Sequence, residues 1–276
     1  MNEWKIGKVR VTKILERETE LPLEALLIAV PEGVVAGHPW LRPDFVVDDV
    51  TGRLAIQGFV VDTGEQRILV DTCVGEHENP IPMGPSAFLD RLAEAGYRPE
   101  DIDVVACTHL HFDHVGWNTR LADGNWVVTF PNARYLFGRI EWEHWSAETG
   151  SYLNVDETVR PVLESGQADL VDVTHQVCPE VRFVPTPGHT PGHVSVVVES
   201  EGERAVITGD MAHHPVQFAE PGIGSNADSD AAAAATTRRS ALATWAADRA
   251  LVIGTHFVAP TAGRLEPDGE GWALVS

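Results

Sequence analysis

Three histidines and an aspartate fall within one short stretch, His109-Leu110-His111-Phe112-Asp113-His114, directly after the apolar run Ile102-Asp103-Val104-Val105-Ala106-Cys107. Folding alone does not call for such a cluster. Imidazole nitrogens and carboxylate oxygens gathered at the end of a strand are the donors a metal ion takes. His109 and His111 are two apart, so a continuing strand turns both to one side. A turn after them carries Asp113 and His114 toward a second point. Four ligands from so short a stretch suit two ions sharing the cluster better than one tetrahedral ion.

The remaining ligands are sought at other strand ends, beside Gly or Pro turns. Three places qualify. Thr186-Pro187-Gly188-His189 follows the strand-like Val181–Val184, on a glycine loop that lets backbone approach an ion closely. Ile207-Thr208-Gly209-Asp210 ends a second strand in a carboxylate, and Ile253-Gly254-Thr255-His256 ends a third in an imidazole. His193 is read as packing or hydrogen-bonding behind His189. His77, His144 and His175 lack such a context and are read as ordinary histidines, and His38 receives no role.

His109-Leu110-His111-Phe112-Asp113-His114 with His189, Asp210 and His256 in this order resembles the metallo-β-lactamase superfamily, over nearly the whole chain. The resemblance implies an αββα sandwich of two mixed sheets flanked by helices. It implies one metal on His109, His111 and His189, another on Asp113, His114 and His256, and Asp210 as the bridge. Two Zn2+ are expected, with Mn, Fe or Co as alternatives. Two dications carry +4, which Asp113 and Asp210 reduce to +2. That charge brings the pKa of bound water to roughly 7 and stabilises an oxyanion, so the expected chemistry is hydrolysis.

Departures within the superfamily narrow the substrate. His111 stands where diiron oxygen reductases of this fold carry Glu, and no flavin domain follows. Asp210 stands where zinc β-lactamases carry Cys. Basic nuclease patches and the glutathione-binding helices of glyoxalase II are not evident. Lactonases, including N-acyl homoserine lactonases, and the methyl parathion hydrolase and arylesterase branch remain. Asp210-Met211-Ala212-His213-His214-Pro215-Val216-Gln217 is similar to the latter branch, and His213 takes the place where acyl homoserine lactonases commonly have Tyr. Catalytic roles are expected at Asp113, Asp210 and His213. Trp40, Phe45, Phe112, Trp117 and His214 are expected at an apolar substrate, while Trp142 is read as packing. The leading reading is a dinuclear lactonase or carboxylesterase acting on a small-molecule lactone or ester. The alternatives are a phosphotriesterase-like organophosphate hydrolase and a non-hydrolytic metal or redox protein.

Elements that must hold these residues can be read along the chain. Strand patterns cover Lys8–Leu15 (as an edge strand), Ala55–Val61, Arg67–Asp71, Trp126–Phe130, Arg134–Phe137, Leu170–Val173, His193–Val198, Ala205–Thr208, Leu251–Thr255 and Trp272–Val275. Helical patterns cover Ser86–Ala95, Glu141–Ala147, Asp156–Glu164 and Asp228–Ala247. Residues 31–50 are a loop carrying Trp40 and Phe45. Irregular alternation of strands and helices suits an α/β sandwich of mixed sheets in a single domain over 1–276. The formal charge of −21, from 20 basic and 41 acidic residues, offers no footprint for nucleic acid or an anionic membrane. Cys73, Cys107 and Cys178 form no CxxC pair, and the apolar run Leu21–Val30 is too short to span a bilayer. The first residues show no secretory leader. A cytoplasmic protein is expected, and the resemblance is compatible with a homodimer.

Overall fold

The computed structural model describes residues 3–77, 84–147 and 154–276. Contacts divide the chain into two compact units, Asn2–Arg17 with Ile56–His175, and Glu18–Ala55 with Gln176–Ser276.

Strands of the first half are β1 (Glu3–Ile6), β2 (Val9–Pro22), the two-residue β3 (Leu27–Ile28), β4 (Thr51–Asp62), β5 (Arg67–Val70) and β6 (Val104–Ala106). They are followed by the hairpin β7 (Thr119–Ala122) and β8 (Asn125–Val128), then β9 (Arg134–Gly138) and β10 (Ala168–Val171). Seven of them form one sheet in the order β1-β2-β4-β5-β6-β9-β10. The sheet is mixed: β5, β6, β9 and β10 run parallel, while β1–β2 and β4–β5 are antiparallel. Lys8–Leu15 is therefore not an edge strand. β1 takes the edge, and β2 lies between β1 and β4.

The parallel register decides what meets at the end of this sheet. Val70 pairs with Ala106, so Asp71 and Cys107–Thr108 leave the sheet side by side. Beneath them Phe88, Leu92, Trp117, Phe130, Tyr135 and Phe137 are buried in one cluster. Burying such side chains contributes about 1.5–3 kcal/mol each, which holds the strand ends in place. The helix expected over Asp156–Glu164 is two short turns, Val155–Thr158 and Arg160–Glu164. Pro161 opens the second, where its missing N–H costs no helical bond.

The second half carries β11 (Gln176–Cys178), β12 (Val181–Pro185), β13 (Val194–Ser200), β14 (Glu203–Ile207), the two-residue β15 (Gly224–Ser225), β16 (Leu251–Ile253), β17 (Ala262–Asp268) and β18 (Gly271–Val275). A seven-stranded sheet orders them β11-β12-β13-β14-β16-β17-β18. Its one parallel pair, β14 with β16, aligns Ile207 with Ile253, so Asp210 and His256 follow from the same end. The antiparallel pair Pro185↔Val194 encloses the 186–193 loop. The long helix runs Ala231–Ala247 rather than from Asp228. Asp230 is its N-cap and accepts from the Ala232 and Ala233 amides, a cap that contributes about 1 kcal/mol. Among the described residues no helix is long and apolar enough to cross a membrane.

Candidate metal centre

His109 and His114 are buried, each 1% exposed, and His111 and Asp113 are partly covered. The chain turns at Asp71, whose φ of 58° is a left-handed conformation that Asp tolerates better than most residues. This turn sets the Asp71 carboxylate against the ligand loop. It accepts from the Thr108 amide and the Thr108 hydroxyl, both at 2.8 Å, and from His114 Nδ1 at 2.9 Å. With Nδ1 engaged, Nε2 is the His114 nitrogen that could meet a metal, and it lies 3.7 Å from Asp113 Oδ1. His109 Nδ1 lies 3.1 Å from the Thr108 hydroxyl. The His109 ring centroid is 4.1 Å from that of His114 and 4.7 Å from that of His111.

The other histidines are held by the same logic. Asp228, whose side chain has no exposure, faces His189 Nδ1 at 3.0 Å and accepts the Ser225 amide at 2.8 Å. Burial raises the Asp228 carboxyl above its usual range, against the hydrogen bond from Ser225. The 186–193 loop can present His189 because Gly188 has a φ of 130°, and a Cβ there would meet the Ala234 amide nitrogen at 2.2 Å. His256 donates from Nδ1 to the Ala55 carbonyl at 2.8 Å. Asp210 has its backbone fixed by His193: the Asp210 amide donates to His193 Nε2 at 2.8 Å, and His193 Nδ1 donates to the Thr186 carbonyl at 3.0 Å. His193 thus braces Asp210, and its ring sits 5.8 Å from that of His189.

Asp210 is 2% exposed and has a different imidazole at each oxygen. Oδ1 lies 3.0 Å from His256 Nε2, while Oδ2 lies 3.4 Å from His189 Nε2 and 3.1 Å from His213 Nε2. The donor atoms of His109 and His111 lie within 4.8 Å of each other, as do those of His189 and Asp210 and those of Asp113 and His114. The chemistry of these donors fits metal ions. His114, His189 and His256 each spend Nδ1 on an oxygen acceptor, which leaves the Nε2 lone pair for a cation.

His213 is 4% exposed, its ring parallel to that of His256 at 5.5 Å, and its Nδ1 makes no hydrogen bond among the described residues. His214 is placed differently. Its Nε2 donates to the Phe45 carbonyl at 2.9 Å and its Nδ1 accepts from the Val216 amide at 3.1 Å, so both ring nitrogens are engaged within the fold. Burial lowers its pKa to about 4. Trp117, also expected at the substrate, lies in the core with its N–H directed to Ser86 Oγ and Glu16. Phe112 packs against the same core and is half-buried. Phe45 is 2% exposed and meets Trp40, His214 and Phe257 edge-on, whereas Trp40 is half-buried.

Asp71 and Asp228 escaped the sequence reading. Asp71 carried a usable signal, since it directly follows the apolar run Ile68-Leu69-Val70, the same context that marked Asp210. Asp228 had been absorbed into the start of a helix.

The chain resembles known proteins in sequence and fold. It is 30% identical over 171 residues to an N-acyl homoserine lactonase of Bacillus cereus, covering 56% of this chain and 62% of that protein. It is 31% identical over 157 residues to the N-acyl homoserine lactonase AttM of Agrobacterium fabrum, covering 52% and 55%. The match thus spans less than two thirds of these relatives. Among solved structures, the hydrolase AbOPH of the beta lactamase superfamily superposes with a TM-score of 0.82 at 23% identity, over 99% of this chain and 97% of that one. AidC, a dizinc quorum-quenching lactonase in complex with its N-acyl homoserine product, superposes at 0.78 and 22%, with the same coverage. These likenesses show a metallo-β-lactamase fold of two mixed sheets flanked by helices. The profile of the metallo-beta-lactamase superfamily matches residues 51–256, from β4 to His256, and the chain belongs to that superfamily.

Proposed function

We propose that this chain is a dinuclear metal-dependent hydrolase, a lactonase or carboxylesterase acting on a neutral, apolar lactone or ester, with N-acyl homoserine lactones among its substrates. The observation that carries the reading is Asp210, whose Oδ1 faces His256 and whose Oδ2 faces His189, the arrangement of a bridging carboxylate. The names of the relatives support the substrate class. Two zinc ions are the proposed cofactors, and they would supply hydroxide from water near neutral pH and polarise the carbonyl. Asp113 and Asp210 would moderate the positive charge of the ions. Asp71, Asp228 and His193 hold His114, His189 and Asp210 in place before substrate arrives, which lowers the reorganisation needed during reaction. His213, whose Nε2 lies 3.1 Å from Asp210 Oδ2, is the proposed partner of the substrate or leaving-group oxygen. The free thiols Cys73, Cys107 and Cys178 support a reducing, cytoplasmic setting.

The test is a panel of γ- and δ-lactones, aryl esters and a paraoxon-type triester, run on protein of measured metal content. Chelation should abolish lactone and ester turnover and zinc should restore it. Metal-dependent turnover of the triester alone would favour the phosphotriesterase reading, and no metal-dependent turnover would overturn the proposal. His213→Ala should lower kcat/KM. Unchanged kcat/KM would remove His213 from the mechanism.

A further inference from the structure

His38, left without a role by the sequence, is part of a junction that fastens the 31–50 loop. Asp268 Oδ2 accepts the Trp40 indole N–H at 2.7 Å and lies 2.7 Å from His38 Nδ1. His38 Nε2 lies 3.4 Å from Glu220 Oε1. The His38 ring thus meets a carboxylate oxygen at each of its nitrogens. The His38 side chain is only 12% exposed, so the contact is less screened than an ordinary surface pair. Burial works against the charge on Asp268, yet the hydrogen bonds from His38 and Trp40 hold its carboxyl below the usual range.

The anchor itself is rigid. Asp268 ends β17, and the pair Asp268↔Gly271 closes the hairpin to β18. A Cβ at Gly271 would meet the Ala219 carbonyl oxygen at 1.9 Å, so the hairpin backbone lies directly on the Val216–Ala219 turn, and Glu220 follows that turn. On the loop side the contacts lead toward the metal ligands. Trp40 meets Phe45 edge-on at 6.1 Å, Phe45 meets Phe257 at 6.4 Å, and the Phe45 carbonyl accepts from His214. Phe257 directly follows His256, and His214 directly follows His213.

We infer that Asp268 and His38 are positioning residues for substrate specificity: they fix Trp40, backed by the buried Phe45, as a preformed apolar wall for the acyl or aryl part of a neutral ester or lactone. This rests on the hydrolase reading above, with the 31–50 loop beside the substrate. Without the junction the wall must be ordered by the substrate itself, and that cost falls on binding rather than on the chemical step.

The experiment compares the zinc-loaded wild type with Asp268→Ala and with Trp40→Phe, which keeps an aromatic face and loses only the N–H. Long- and short-chain acyl lactones are assayed, and backbone hydrogen exchange over residues 34–45 is followed without substrate. Asp268→Ala should raise KM for the long-chain lactone about tenfold, the effect of roughly 1.4 kcal/mol, and leave kcat within about twofold. Both variants should exchange faster over 34–45 and not over 231–247. An equal change in KM for both chain lengths, or a long-chain KM left at the wild-type value, would overturn the specificity role. Exchange over 34–45 unchanged in both variants would overturn the junction itself, and this arm stands even if the wild type hydrolyses no lactone.

Discussion

Asp228→Asn is the perturbation that best isolates how the centre is held. The substitution keeps size and shape and removes charge. Asp228 has a donor at each oxygen, His189 Nδ1 at 3.0 Å and the Ser225 amide at 2.8 Å. A carboxylate accepts from both, whereas an amide accepts from one and turns its NH2 against the other. In one orientation the Ser225 N–H loses its acceptor, at about 1–3 kcal/mol. In the other, His189 must shift its proton to Nε2, the nitrogen 3.4 Å from Asp210. Either way His189 becomes a poorer ligand. Removing such an outer partner weakens metal binding about 10–100-fold, or roughly 1.4–2.7 kcal/mol. Zinc competition against a chromophoric chelator reads this directly, with near-UV circular dichroism as the check on folding. One of the two zinc ions should weaken at least about tenfold and the other should hold. Two dissociation constants both within about twofold of wild type would refute the reasoning, because the carboxylate would then contribute nothing to the ligand.

Two further predictions concern stability. His214 has its pKa lowered to about 4 by burial, from the ordinary 6.5, so the unfolded chain takes up the proton more readily. The stability this gives is complete above about pH 6.5 and is lost as pH falls toward 4, roughly 3 kcal/mol in all. Urea titrations across that window should show a shallower loss in His214→Gln than in wild type, and parallel slopes would contradict the assignment. Gly116 packs so tightly on the 74–75 backbone that a Cβ would meet the Val74 carbonyl oxygen at 1.9 Å. Gly116→Ala should destabilise by about 3 kcal/mol or more in the same titration and displace the neighbouring His114, seen as zinc lost at lower chelator concentration.

The candidate ligands are legible because each polar donor stands where an apolar run stops, and a strand end is the one place where a rigid backbone can present a side chain outward. His109, His189, Asp210 and His256 share that context. Other features depend on partners that sequence spacing does not reveal. Asp71 reads as the last residue of a strand until the Val70↔Ala106 register sets it beside Thr108. Asp228 and Asp230 are equally good helix starters, and only the folded chain gives the cap to Asp230 and His189 to Asp228. Lys8–Leu15 alternates in sequence like an edge strand, with Lys and Arg between apolar residues, yet residues 11–14 are all buried and β1 covers the flank. The aromatic residues were harder still. Trp40, Phe45 and Trp117 look alike in a loop-rich sequence, yet an N–H to Glu16 and Ser86 draws Trp117 inward while Asp268 draws Trp40 toward the hairpin.

The segment before the long helix has a consequence for how this protein can vary. Ser225 and Asp228 bond to each other, the Ser229 and Asp230 amides donate to the His189 and Gly188 carbonyls, and Asp230 caps the helix. Surface connections ordinarily absorb inserted or deleted residues with little harm. Here one residue more or fewer would dislodge either the helix cap or the imidazole support, so the segment is locked in length. Its history should be one of point replacements at Asn226 and Ala227, which are exposed, and not of gaps.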